Sequence, residues 1–344
     1  MINKSIFVRF TAVFVLLALA IFSLAGCNSK SKNAQTNSVV FYEYFDTVSE
    51  ISDYSGRGKE SFDSAMVTVE RLLDYYHKLF DIYHEYGGIN NIATINKNAG
   101  IEPVKVDTAL LDFLEYAREM YYLTDGNVNI AMGSVLSIWH EYRTLGVSVP
   151  PTEKLDEANQ YTDITKMVID REKNTVYLAD PEMSLDVGAI AKGYACEKIA
   201  EALEAGGYSS YVLDLGGNLR VIGHKPDGST WRTAVRNPDL SSKERYIYYL
   251  DIADTSVVTS GDYQRYYTVD GVKYHHIINK DTLMPADYFS SVTIITKNSG
   301  YADGLSTALF NMDYESGLAL VSSLEGVSVV WVTKDGQVKT YGLD

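Results

Sequence analysis

The chain has 344 residues, 46% of them apolar and 22% charged, which suits a globular protein with room for a sizeable core. Its net charge of −15, with no basic footprint, excludes nucleic-acid binding; any phosphate ligand needs a local device such as a helix N-terminus, a lysine or a metal ion. Two cysteines, Cys27 and Cys196, exclude a disulfide framework and a cysteine-rich metal site.

At the start of the chain, Lys4 and Arg9 lead into an apolar run at residues 10–22 that is short for a membrane span. The run ends in Leu24-Ala25-Gly26-Cys27, which resembles the bacterial lipoprotein signal, in which the cysteine is lipidated and becomes the new N-terminus. This predicts a chain anchored by lipid to the extracytoplasmic face of a bacterial cell membrane. Loss of residues 1–26 removes two cations and no acid, taking the charge to −17. The polar residues that follow read as a flexible tether. The expected division is a signal over 1–26, a tether over 27–40 and a folded region over 41–344 with room for two subdomains.

Residues 41–53 read as one strand. Apolar residues three and four apart predict a helix over 59–83, with His77 and His84 on its solvated side. A second helix is expected over 108–123, capped by Asp107 or Thr108 and stopped at Asp125-Gly126. A loop follows at Pro150-Pro151, then short strands at 168–170 and 175–178. Helical spacing over 189–205 holds Cys196, read as a buried thiol, and ends at Gly206-Gly207. Strands are expected at 211–215, 219–224, 230–235, 246–252, 256–259 and 291–296, and a hairpin over 263–278 around Asp270-Gly271. Helices over 301–311 and 314–324 and a hairpin at 327–333 and 337–341 close the chain. Strands come in runs between helices, which predicts an α+β fold with mixed or antiparallel sheets and flanking helices. Neither a GxGxxG nor a P-loop motif occurs.

Five segments can carry chemistry. Residues 185–197, LDVGAIAKGYACE, run from a strand end into a helix; Asp186, Gly188 and Gly193 allow close backbone approach, the first-turn N–H groups attract anions, and Lys192 adds a point charge. A tight helix entry with a solvated lysine explains the same pattern equally well. Residues 214–218, DLGGN, suit a sharp turn and also a backbone packed against a ligand. Residues 259–263 read TSGDY. In YHHIIN, residues 274–279, the adjacent His275 and His276 point to opposite faces of a strand, so at most one serves a site. In YADGLSTALF, residues 301–310, Asp303 and Thr307 lie four apart on one helix face; they are hard oxygen donors of the kind Mg²⁺ takes, or a helix-start aspartate and a threonine bonded back to its helix.

The order of these segments resembles the FAD:protein FMN transferase family, also called the ApbE family, over residues 41–342. The resemblance implies the family's α+β fold and the transfer of FMN from FAD to a threonine or serine hydroxyl of an acceptor redox protein, with release of AMP. It implies FAD as substrate, bound by Asp186, Gly188, Lys192, Gly193, Gly216, Gly217, Asn218, Ser260 and Gly261. It implies Mg²⁺ held by Asp303, Thr307 and the Ala189 carbonyl. It maps the family's motif histidine to His276, as base or positioning group, with Asp262 as a second catalytic candidate. Three segments depart from the family pattern: residues 128–134 read VNIAMGS where F-D-[IP]-T-[VI]-G-P is usual, Asn279-Lys280 replace an Asp-Pro pair, and Phe45-Asp46-Thr47 stand for M-G-T. Two other readings use the same features: a metal-dependent FAD pyrophosphatase with water as nucleophile, and a solute-binding lipoprotein, which the strand order does not favour.

Overall fold

A computed structural model of the chain describes residues 36–343, and Cys27 and the expected signal lie outside them. An eight-stranded antiparallel sheet forms the centre, in the order β1-β2-β6-β7-β10-β13-β14-β15. Its strands are β1 (Asn37–Phe41), β2 (Ser49–Asp53), β6 (Tyr211–Leu215), β7 (Asn218–Ile222), β10 (Thr255–Gly261), β13 (Phe289–Thr296), β14 (Ser328–Thr333) and β15 (Val338–Tyr341). Three small antiparallel sheets flank it. They are β3 (Val104–Lys105) with β5 (Thr175–Leu178) and β4 (Met167–Asp170), β8 (Trp231–Arg236) with β9 (Tyr246–Ile252), and β11 (Tyr266–Val269) with β12 (Val272–His275). This is the α+β arrangement expected from the clustering of strands.

Helices α1 (Lys59–Phe80), α6 (Ala191–Ala205) and α7 (Ser299–Phe310) pack in series, α6 on α1 and α7 on α6, with α7 also lying across β10 and β13. Helix α3 (Thr108–Leu123) covers the outer side of this layer and shares its core with α7 and β13 through Leu110, Phe113, Leu114, Leu305 and Ile294. Asp107 is the cap, its carboxylate accepting the Ala109 N–H at 2.9 Å. Helix α8 (Tyr314–Ser322) starts at Asp313, whose side chain accepts the Ser316 N–H.

The first expected strand divides. Phe45 and Asp46 adopt left-handed φ values of 56° and 49°, so the chain reverses there and β1 pairs back on β2. Strand β1 begins at Asn37, so the last residues assigned to the tether belong to the sheet. His77 is not a solvated histidine: it is half-buried and its Nδ1 accepts the Phe45 N–H at 3.2 Å, fixing the reversal to α1. Three helices have no counterpart in the sequence reading: α2 (Ile92–Lys97), α4 (Gly133–Leu145) and α5 (Thr152–Asn159). Helix α4 starts inside the divergent segment 128–134. Gly133 is held against a neighbouring chain segment, where a Cβ would lie 2.4 Å from the Ser184 carbonyl oxygen. Asn279 serves as a turn cap, its Oδ1 accepting the N–H groups of Asp281 and Thr282 at 3.0 Å, a task a carboxylate performs equally.

One buried ion cluster ties the layers together. Arg220 on β7 is fully buried and meets Glu204 and Asp254 at 3.1 Å and Glu197 at 3.4 Å. Glu197, on α6, also accepts the Ser299 N–H at 2.7 Å, so the cluster reaches the first turn of α7. Burial pushes the Glu197 carboxyl above its usual range, so it depends on its partners to stay ionised. Arg220→Met strands three carboxylates and is expected to cost about 3–5 kcal/mol, read as a lower urea midpoint with unchanged slope.

Candidate functional site

The site is built where α6 and α7 cross the ends of β7 and β10. At the start of α6 the first-turn N–H groups lack helical partners. The N–H of Gly193 is satisfied by Asp303 Oδ2 on α7 at 2.8 Å, across a sequence separation of 110 residues. The approach excludes any side chain at 193, since a Cβ there would lie 2.4 Å from both Asp303 Cβ and the Ser299 carbonyl oxygen. The N–H of Lys192 has no protein partner among the described residues. Ala189 precedes the N-cap residue Ile190, which leaves its carbonyl outside the helical ladder.

Asp303 is 5% exposed, and burial raises its carboxyl above the usual range, opposed by Lys192, whose Nζ is 3.8 Å from Oδ2, and by the Gly193 N–H. One turn later, Thr307 Oγ1 lies 3.4 Å from Ser260 Oγ on β10, and Ser306 Oγ lies 2.8 Å from the same atom. The hydroxyl that bonds back to the helix is that of Ser306, to the Asp303 carbonyl at 2.9 Å, so Thr307 is left facing across to β10. Strand register brings in the glycine turn: β7 begins with Asn218 opposite Val258, so Gly216 and Gly217 turn beside the end of β10 that carries Ser260 and Gly261. Gly216 is required there, having φ +61° and a Cβ position 2.1 Å from Thr47 Oγ1. The structure thus gathers Lys192, Gly193, the 216–218 turn, Ser260, Gly261, Asp303 and Thr307 into one region. Cys196 is fully buried beneath it with its thiol pushed up by burial, a structural role.

Asp186 and Gly188 form the approach to α6, with Asp186 Oδ1 accepting the Gly188 N–H at 2.9 Å. Asp186 also faces α4, where His140 Nε2 stands 3.9 Å from its Oδ2 and His140 Nδ1 is 3.0 Å from the Tyr83 hydroxyl. A cavity of about 440 Å³ opens here, lined by Tyr83, His140, Glu141, Arg143, Thr144 and Leu145. The sequence reading missed these residues because it assigned no helix there. The signal was the spacing of Val135, Ile138 and Trp139, which fixes a buried face and leaves His140 and Arg143 off it.

The two histidines separate as their alternation requires. His275 is buried, with Nε2 at 2.8 Å from the Ala286 carbonyl and Nδ1 accepting the Ile277 N–H, so it is a packing residue. His276 is half-buried, and its Nδ1 and backbone N–H both reach the Arg265 carbonyl at 3.2 Å. Burial, then the nearby charges of Arg265, His275, Arg143 and Lys192, depress its pKa to about 3, so it is neutral. Asp262 is held by Lys273 and Lys334, one on each carboxylate oxygen, at 2.9 and 3.0 Å.

The donors fit a divalent cation. Asp303, Thr307 and the Ala189 carbonyl are hard oxygen groups, and a buried carboxylate held above its usual range gains from a nearby cation. Among the described residues, no group of three or more His, Cys, Asp or Glu side chains is placed to hold a metal, so such an ion needs ligand oxygens to complete its shell.

A model of the ApbE family matches residues 45–331. The chain is 32% identical over 310 residues to the FAD:protein FMN transferase of Treponema pallidum, covering 85% of this chain and 83% of that protein. It is 28% identical over 329 residues to the FAD:protein FMN transferase of Vibrio cholerae, covering 95% and 96%. Among solved structures, the ApbE protein of Thermotoga maritima aligns with a TM-score of 0.79 at 27% identity, over 90% of this chain and 97% of that one. The flavin transferase ApbE from Vibrio cholerae aligns with a TM-score of 0.75 at 26% identity, over 89% and 97%.

Two outcomes follow from this geometry. Gly193→Ala is expected to force α6 off α7 and cost about 1–3 kcal/mol, seen as a lower melting temperature and weaker phosphate-ligand binding. Burial lowers the pKa of His140, His275 and His276, so the unfolded chain binds more protons on the acid side. Their contribution to stability is full above the unfolded value of about 6.5 and falls away below it. A melting series from pH 7.5 to 5 should show a falling midpoint, and His276→Gln should flatten it.

Proposed function

The chain belongs to the ApbE family, and from that footing we propose how it works as an FAD:protein FMN transferase. The observation that carries the reading is the junction of Asp303 with the first turn of α6, a buried carboxylate set into an anion-attracting helix start. That combination suits a cation and a diphosphate side by side and is costly without them. FAD serves as substrate, its diphosphate lying along residues 186–193 with the free N–H of Lys192 and the Lys192 ammonium turned to its oxygens. The Gly216–Gly217 turn lets backbone approach the ligand without a side chain between. Mg²⁺, held by Asp303, Thr307 and the Ala189 carbonyl, would supply charge neutralisation on the phosphate oxygens.

A threonine or serine hydroxyl of the acceptor attacks the FMN-side phosphorus, the phosphoanhydride bond breaks and AMP leaves. His276 receives the hydroxyl proton. Its Nδ1 faces a carbonyl and so carries the hydrogen, which leaves Nε2 as the free acceptor. Burial, and then neighbouring cations, keep it neutral and weakly basic, and the charge of a bound diphosphate offsets the cations and strengthens the base. The membrane anchor through lipidated Cys27 extends this reading: an extracytoplasmic enzyme on a short tether meets acceptor redox proteins held at the same membrane.

Incubation with FAD, Mg²⁺ and an acceptor protein is expected to add one FMN to the acceptor by intact mass, with one AMP released per label. Free FMN and AMP without labelled acceptor would establish hydrolysis by water instead. Asp303→Ala is expected to lower Mg²⁺-dependent turnover by about 10³-fold or more, the scale of several kcal/mol of charge stabilisation; full activity in that variant removes it from the site.

A further inference from the structure

Asn279 follows His276 in the same segment, and both ends of its buried amide are engaged. Oδ1 accepts the N–H groups of Asp281 and Thr282, and Nδ2 donates to the Asn311 carbonyl at 3.1 Å. Two donors on one side and a carbonyl on the other fix which end is oxygen. The backbone is held as well: the Asn279 N–H donates to the Met284 carbonyl and its carbonyl accepts the Leu283 N–H, both at 2.9 Å. Trp139 Nε1 donates to the Leu283 carbonyl at 2.9 Å, which anchors this turn to α4. Asn311 is the C-cap of α7 and is also buried. Its backbone N–H and its Nδ2 both donate to the Thr307 carbonyl, at 3.3 and 3.1 Å. The Asn311 Oδ1 is buried with no hydrogen-bond partner among the described residues. An orphaned buried oxygen is costly, so stability alone does not account for this side chain. Turning the amide over would set that oxygen against the Thr307 carbonyl.

We propose that Asn279 and Asn311 are positioning residues that hold the His276 segment in register with the last turn of α7, which carries Thr307. The inference rests on the transferase reading, in which His276 takes the acceptor's proton and Thr307 faces the cation. Those two groups arrive on separate segments, and two side-chain hydrogen bonds in series join them: Asn279 Nδ2 to the Asn311 carbonyl, then Asn311 Nδ2 to the Thr307 carbonyl. Register matters because a displacement of about 1 Å between reacting groups is enough to slow a positioned transfer. The amide at 279 is specific to the task. A carboxylate caps the turn equally well, but it has no hydrogen to give the Asn311 carbonyl unless it is protonated. The asparagine that replaces the family's usual aspartate therefore adds a link that the ionised aspartate lacks. A cavity of about 320 Å³ beside both asparagines, lined also by Asp125, Lys280, Asp281 and Asp313, gives the link access to protons from solvent.

The test is kcat for FMN transfer to an acceptor protein, per folded enzyme, in the Mg²⁺-loaded full chain from pH 6 to 8.5. Asn279→Ala neither caps nor donates; it is expected to lower kcat about tenfold at every pH while changing KM for FAD less than about twofold. Asn279→Asp keeps the shape and the cap. It is expected to lose about tenfold at pH 8.5, where a carboxylate oxygen meets the Asn311 carbonyl, and to regain most of the loss towards pH 6, where protonation restores a donor. The carboxylates of Asp125, Asp281 and Asp313 favour that proton and Lys280 opposes it. Full kcat in Asn279→Asp at every pH would make Asn279 a turn cap alone and overturn the link. A loss in Asn279→Asp whose ratio to the parent does not change with pH would overturn it too, by tracing the effect to shape or packing. So would a loss confined to KM for FAD. No labelled acceptor from the unaltered protein defeats the transferase reading, and the positioning role with it.

Discussion

Where α6 meets α7, a single carboxylate sits inside the partial positive charge of a helix start. Asp303 Oδ2 takes the Gly193 N–H, and the backbones approach so closely that residue 193 can carry no side chain. A buried carboxylate is costly in isolation, and here the helix start and Lys192 offset only part of that cost. The site is therefore built short of positive charge at its centre. The same contact sets the rotation of α7, which brings the hydroxyls of Ser306 and Thr307 to Ser260, with Ser306 also bonded back to its own helix.

The distribution of charge follows from this arrangement. The Arg220 cluster is closed, with three carboxylates around one guanidinium, and it stiffens the layer beneath the site. Around His276 the pattern differs: burial first, and then the charges of Arg265, Arg143 and Lys192, hold the imidazole neutral. One cluster is satisfied in the free protein and contributes to stability. The other is only partly satisfied, with Lys192 standing 3.8 Å from Asp303, which leaves contacts to be gained on binding an anionic ligand.

Divergence from the family pattern falls on parts that tolerate it. Asn279 caps its turn with Oδ1, which an aspartate would do with a carboxylate oxygen. In the segment 128–134, Gly133 is kept where only a missing Cβ permits the approach to Ser184, whereas Asn129 bonds the Ala131 N–H and the Thr162 carbonyl. The segment still docks beside Asp186, whose N–H donates to the Ile130 carbonyl.

Local chemistry was enough to determine most elements. Helix α3 with its Asp107 cap, strand β6, strand β9 and the hairpin around Asp270-Gly271 lie where spacing and turn residues put them. The order of five short motifs was enough to determine the family, because each preserves a backbone constraint or a donor atom. The sequence could not show that residues 41–53 reverse direction, since left-handed backbone at Phe45 and Asp46 is stabilised by His77 from another element. Nor could it show that Asp262 is bound by two lysines, or that the hydroxyls of Ser306 and Thr307 both lie against Ser260 on the sheet. Those are facts of packing between segments many residues apart. Periodicity records which face of an element is buried, and only tertiary structure decides what that face meets.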